Sequence, residues 1–265
     1  MPTELTADTL IPLSVLERKA LVLQYASTID ATDILDKSLC SAYKYGKVIS
    51  LIAEDYFKCQ IEQDTLGDSV LKTKRQSKLI KNQIEIFTTD FIDWLVKYFE
   101  TQKVTLKNNP NPRNIYELCG ASLLVTSNSV TRQLNTRMGK LWEGISNISP
   151  YVIIPELEFG AKVTGVDIVI LSNGTVHFAQ LKTQKNTLTG SQAPRAKKEL
   201  GIHENSLFCA AFDLSGWTFP QNDKIPRIAG KAFWDKIQID YSTVETYTRN
   251  MLQRIDKVYA ELAAS

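Results

Sequence analysis

Apolar positions follow two different periods along this chain, and the change falls near Pro150. Before it, hydrophobic residues recur every three or four positions through Ile34, Leu35, Leu39, Val48, Ile49, Ile52 and Phe57. The same spacing returns through Leu79, Ile80, Ile84, Phe87, Phe91, Trp94, Leu95 and Tyr98. Each set predicts a long helix with one apolar stripe. The turn-rich run Lys107 to Asn114 closes the second helix and marks a boundary between a helical subdomain, 1–110, and a second part, 111–265. A short helix is predicted over Ile115 to Leu124. Thr126 to Ile145 then shows a capping-type Ser or Asn start and apolar spacing through Val130, Leu134, Met138, Leu141, Trp142 and Ile145.

After Pro150 the texture is that of strands. "YVIIPEL", "VDIVIL", "TVHFAQLK" and "SLFCAAFDL" are β-branched or aromatic runs bounded by turn residues. The polar stretch "GSQAPRAKKEL" predicts a helix after Pro194, and Thr243 to Ala263 a closing amphipathic one. The fold class is α/β, with an N-terminal helical subdomain packed on the α/β core.

One hairpin can be placed in register. Asn173-Gly174 lies between two alternating runs, and a type I′ turn needs positive φ at both central residues. Pairing Ser172 with Thr175 sets Leu171 against Val176, Val169 against Phe178 and Asp167 against Gln180. Opposed Cβ atoms lie about 4.5 to 5.5 Å apart and diagonal ones roughly 7 to 8 Å, which is where Lys182 falls. Asp167, Gln180 and Lys182 thus share a face that is otherwise apolar, while Ile168, Ile170, Ala179 and Leu181 line the other. Charged groups at the covered end of such a sheet are costly to desolvate unless paired or bound to a cation. A structural Asp167–Lys182 ion pair is one answer; a cation site is the other.

Composition narrows the field. The 265 residues are 43% hydrophobic, enough for a sizeable core. No run of 18 apolar residues exists, and "MPTELTADTL" has neither a basic nor an apolar leader segment, which argues against membrane insertion and secretion and for a cytoplasmic protein. Cys40, Cys59, Cys119 and Cys209 are scattered without C-x-x-C spacing, so a disulfide frame or zinc site is not expected, and two histidines do not make a His-rich one. The net charge of +2 does not advertise nucleic acid. Lys72 to Lys81 and Pro194 to Lys198 are basic clusters that fit either a phosphate footprint or a solvated helix face.

Asp167 followed after a turn by Gln180-Leu181-Lys182 resembles the D-x(n)-(E/Q)-x-K signature of the PD-(D/E)XK nuclease superfamily, most closely its type II restriction endonucleases. "TRMGKLWEGI" resembles the core helix of that fold, which often supplies an extra acid, here Glu143. "KTQKNTLTGSQAPR" resembles the DNA-facing segment, and "RIAGKAFWDKI" a G-x-x-F-W stretch near the C-terminus. The resemblance spans about residues 126 to 240. It implies a restriction-endonuclease-like core with a mixed central sheet flanked by helices. It also implies Mg²⁺ held by Asp167, the backbone carbonyl of Leu181 and Glu143, with Lys182 positioning or deprotonating the attacking water or offsetting developing charge. Two departures stand out: Val166 replaces the proline before the aspartate, and Gln180 the usual glutamate. An amide oxygen still ligates a hard cation, without charge. Some members move the acid to the following helix, which makes Glu199 a reserve ligand; Glu156 and Glu158 near the hairpin's entry are further alternatives.

Lys185, Asn186, Thr187, Gln192 and Arg195 are side-chain types that read base edges or hold phosphates, and Arg132 and Arg137 fit phosphate contacts or a salt-bridged helix surface. His203 is expected at the surface. No phosphate-binding glycine loop occurs. The expected function is a Mg²⁺-dependent, sequence-specific double-stranded DNA endonuclease, acting as a homodimer on symmetric sites, with a cognate DNA methyltransferase as its companion. A repair or junction-resolving nuclease of the same fold, and a non-catalytic DNA-binding protein with a structural Asp167–Lys182 pair, are the alternatives.

Overall fold

The computed structural model describes residues 5–64, 69–105, 111–112 and 114–264. It is α/β, with a five-stranded mixed sheet flanked by helices. The chain falls into two compact units: one from Met1–Lys74 and Trp142–Tyr241, the other from Arg75–Leu141 and Ser242–Ser265. This grouping differs from the sequence division into 1–110 and 111–265, because the first three helices fold with the sheet. The run 107–114 on which that division rested lies mostly outside the described residues.

The first unit opens with α1 (Ala7–Leu10), α2 (Val15–Thr28) and α3 (Cys40–Asp64). Ser14 and Glu17 form a capping box that starts α2. The periodic pattern does not expose α2, since Leu16 and Leu23 on it remain 78% and 42% exposed and blur its stripe. The predicted start near Ile34 is also too early. Asp36 instead caps a short 3-10 turn, Lys37–Leu39, by accepting from the Ser38 N–H, and Leu35 is left in solvent.

After Pro150, β1 is only Val152–Ile153, because Pro155 begins a short helix, α7 (Pro155–Glu158), inside what the sequence suggested was a single strand. β2 (Ile168–Ser172) and β3 (Thr175–Gln184) form the expected hairpin, with Ser172 opposite Thr175 and Val169 opposite Phe178. Asn173 and Gly174 have φ of 51° and 71°, as the turn demands. α8 (Gln192–Leu200) crosses over to β4 (Ser206–Phe212), which pairs parallel to β3. β5 (Arg227–Ala229) adds a parallel edge that the sequence pattern does not reveal, and α9 (Lys231–Lys236) follows. The sheet order is β1-β2-β3-β4-β5.

Both faces of the hairpin are covered. Val169, Phe178 and Phe208 share one apolar cluster with Leu10, Val22, Ile49, Ile52 and Phe57 of the N-terminal helices and with Ala196 and Leu200 of α8. On the other face Ile168, Ile170 and Ala179 are fully buried.

The second unit is helical. It contains α4 (Ser69–Thr105) from Arg75 onward, α5 (Ile115–Leu118), most of α6 (Ser122–Ser146) and α10 (Tyr241–Ala264) from Ser242. Gly120, at φ 68°, separates α5 from α6, four residues earlier than the pattern suggests. Phe87, Phe91, Trp94 and Tyr98 stack successively along α4 at 5.1–6.1 Å, and Phe99 meets Tyr259 edge-on. Among the described residues no helix is long and apolar enough to cross a membrane.

Candidate functional site

β2 stops at Ile168, whereas β3 continues to Gln184, so the second half of β3 is paired by β4 alone. Asp167 sits at that step. Its N–H donates to the Ala179 carbonyl at 2.9 Å, and its Oδ2 accepts the Leu181 N–H at 2.8 Å. The carboxylate thereby occupies a position that the main chain of a longer β2 would have taken. N–H and C=O of one strand residue point to the same side, so the Leu181 carbonyl also faces this opening.

Gln180 follows the last β2–β3 pair, Ile168 with Ala179; it is 8% exposed, and its Oε1 is buried without a hydrogen-bond partner. An orphaned amide oxygen costs about 1–3 kcal/mol unless a water, ion or ligand meets it. Gly165 lies two residues before Asp167 at φ +82°, and a β-carbon there would fall 2.3 Å from Cβ and 2.9 Å from Oε2 of Glu199. The reserve acid is therefore pressed against the turn that delivers Asp167. Ala196, Glu199 and Leu200 share one face of α8, and burial of the two apolar neighbours carries the carboxylate inward. Its side chain is 8% exposed, and Oε1 accepts from Arg195 Nε at 2.7 Å.

Lys182 is half-buried and lies beside Ala210 of β4. Among the described residues it takes part in no ion pair, so the Asp167–Lys182 pair of the structural account is not formed. Glu143 is half-buried on α6. Its neighbour Trp142 donates from Nε1 to Thr183 Oγ1 at 3.1 Å and meets Phe212 edge-on at 5.2 Å, which fixes this turn of α6 over the end of β3. No three His, Cys, Asp or Glu side chains gather as a metal cluster among the described residues. A cation held here needs amide and main-chain oxygens beside its carboxylates. Asp167, Gln180 and the Leu181 carbonyl are oxygen donors of the types that hard divalent cations accept, and Glu199 lies against the turn at Gly165. The thiol of Cys209, on the adjacent strand, is pushed up by burial and by Asp167 against the opposing pull of Lys236, and is inert as a nucleophile.

The segment after Lys182 is a folded loop. Lys185 pairs with Asp213, Asn186 accepts from Gln184 Nε2 at 2.6 Å, Thr187 donates to the Gln184 carbonyl, and Gln192 accepts the Thr189 N–H. Thr218 ties it down by bonding Lys185 and Leu188. Arg132 is exposed, and the Arg137 guanidinium lies over Trp94 and Phe91 at 5.1 and 5.7 Å; both belong to the second unit.

Of the two alternative acids near the hairpin's entry, Glu158 pairs with Arg18 and accepts from Tyr56, and Glu156 is exposed. One expectation is corrected. His203 is not a surface residue: its ring stacks on Phe178 at 4.5 Å, Nε2 is buried without a partner, and burial pushes its pKa down to about 4, helped by Lys47. With His177 it lines a cavity of about 650 Å³ at the Ser206 end of β4, away from Lys182. No family model matches the chain, and no curated protein matches it.

Proposed function

We propose that this chain is a Mg²⁺-dependent endonuclease for double-stranded DNA of the PD-(D/E)XK kind, with a restriction-endonuclease-like core and Asp167, Gln180 and Lys182 as its signature residues. The observation that carries the proposal is the buried, unpartnered Gln180 Oε1 at the step where β2 ends, next to the Leu181 N–H that the Asp167 carboxylate accepts. A buried acceptor beside a carboxylate is what a hard cation needs and what an apolar sheet otherwise rejects.

A divalent cation bound there supplies Lewis acidity toward the phosphoryl oxygens and toward a water. The chain's own groups do the rest. Asp167 is oriented by the Leu181 N–H, and Gln180 contributes an uncharged oxygen that leaves the site less negative than the usual glutamate does. Lys182, which joins no ion pair among the described residues, would hold its ammonium for the attacking water or the charge developing on the phosphate. Glu199 is the second acid this reading favours over Glu143, because it is buried against the Asp167 turn. Lys185, Asn186, Thr187, Gln192 and Arg195 lie on the polar loop and helix that follow, and together with Arg132 and Arg137 they are the proposed DNA contacts.

A homodimer matched to a two-fold symmetric site, with a cognate methyltransferase as companion, completes the restriction reading. Incubating plasmid of known sequence with Mg²⁺ or with chelator, beside an Asp167→Asn control, tests it. Discrete fragments made only by the wild type with Mg²⁺ support it. Cleavage of branched or damaged DNA alone identifies a repair or junction-resolving enzyme on the same site, and DNA binding without cleavage of any substrate overturns the nuclease reading.

A further inference from the structure

Glu199 and Arg195 look at first like an ordinary i,i+4 helix pair. Their burial is unequal: the carboxylate side chain is 8% exposed, the guanidinium 74%. An exposed pair contributes little, but a buried carboxylate without a cation is costly. The turn at Gly165, two residues before Asp167, lies against it. Only one Glu199 oxygen is engaged by Arg195; Oε2 faces the Gly165 main chain. The other local cation, Lys182, pairs with no carboxylate among the described residues.

We infer that Arg195 is a stopper for the cation position: its guanidinium compensates Glu199 while the site holds no metal, and a divalent cation enters only as Arg195 leaves. The inference rests on the proposed metal site and adds its regulation. Two cations compete for one carboxylate, so each weakens the other's hold on it by the same factor. Among the described residues Arg195 makes no other ion pair, and its side chain is 74% exposed, so it leaves by rotating its own side chain. A phosphate arriving at the site draws the guanidinium in the same direction, which couples metal entry to DNA binding.

The test is Mn²⁺ binding to DNA-free protein, followed by loss of the free-ion electron paramagnetic resonance signal, for wild type, Arg195→Gln, Arg195→Lys and Asp167→Asn. Arg195→Gln is expected to bind Mn²⁺ about tenfold more tightly than wild type. Arg195→Lys, which keeps the charge, stays near wild type. Equal or weaker binding by Arg195→Gln, with binding still abolished in Asp167→Asn, overturns the stopper and leaves the metal site standing. If neither wild type nor Arg195→Gln binds Mn²⁺, the metal site fails and the stopper with it. Circular dichroism of each variant separates lost sites from lost fold.

Discussion

Lys182 is the side chain at which chemistry and stability give opposite forecasts. It joins no ion pair among the described residues, so Lys182→Ala breaks no salt bridge. Unfolding by denaturant should be nearly unchanged while Mg²⁺-dependent cleavage falls by about 10²–10³-fold, the cost of deleting one electrostatic contact to the reacting group. A large loss of stability with unchanged cleavage would restore the structural account. His203 makes the reverse forecast. Its folded pKa lies near 4, below the ordinary 6.5, so the neutral ring is the form the fold prefers. As pH drops below 6.5 the unfolded chain takes up a proton that the native ring refuses until about pH 4, and stability is lost across that window. The loss is on the order of 3 kcal/mol. His203→Phe keeps the stack on Phe178 and should flatten the wild-type dependence between pH 4 and 6.5 in urea titrations, with His177, whose pKa burial also lowers, contributing the remainder.

Among elements, the hairpin was the most legible because a two-residue turn fixes register without tertiary help, and the order found is the one Asn173-Gly174 dictates. The two- and three-residue strands β1 and β5 carry too little pattern to read: Pro155 turns the end of one apolar run into a helix, and Arg227–Ala229 resembles a loop. The alternation that puts Gln180 and Lys182 on one face of β3 was legible, whereas the Asp167–Gln180 pair is not formed: the ladder ends at Ile168–Ala179 and the Asp167 N–H donates to the Ala179 carbonyl. The burial of Glu199 was not, since it depends on how α8 crosses back over the hairpin, and its only trace in the sequence is the glycine at 165. Gly165→Ala joins a strained positive φ to a collision with Glu199. It should cost about 2–4 kcal/mol in thermal unfolding. A cost near zero would mean that α8 does not press on this turn. Arg18, Tyr56 and Glu158 similarly join α2, α3 and α7, a role for Glu158 that the sequence obscured because its partners lie over a hundred residues away.

For the whole molecule, helices from the first 64 residues complete the sheet's core, so truncating them exposes Val169, Phe178 and Phe208 and does not liberate a separate nuclease unit. The restriction reading calls for a second copy. Sedimentation of the 29.8 kDa chain should give a species of twice that mass at micromolar concentration, and a monomer that persists on a cognate duplex would favour the repair alternative.

The step between β2 and β3 has a cost. A strand flank stripped of its neighbour invites foreign backbone, and the Asp167 carboxylate plugs it by taking the Leu181 amide. The group proposed as a metal ligand is thus also a bung. Asp167→Ala should precipitate sooner than Lys182→Ala on storage or mild warming, because only the first bares a docking lane for another chain's strand.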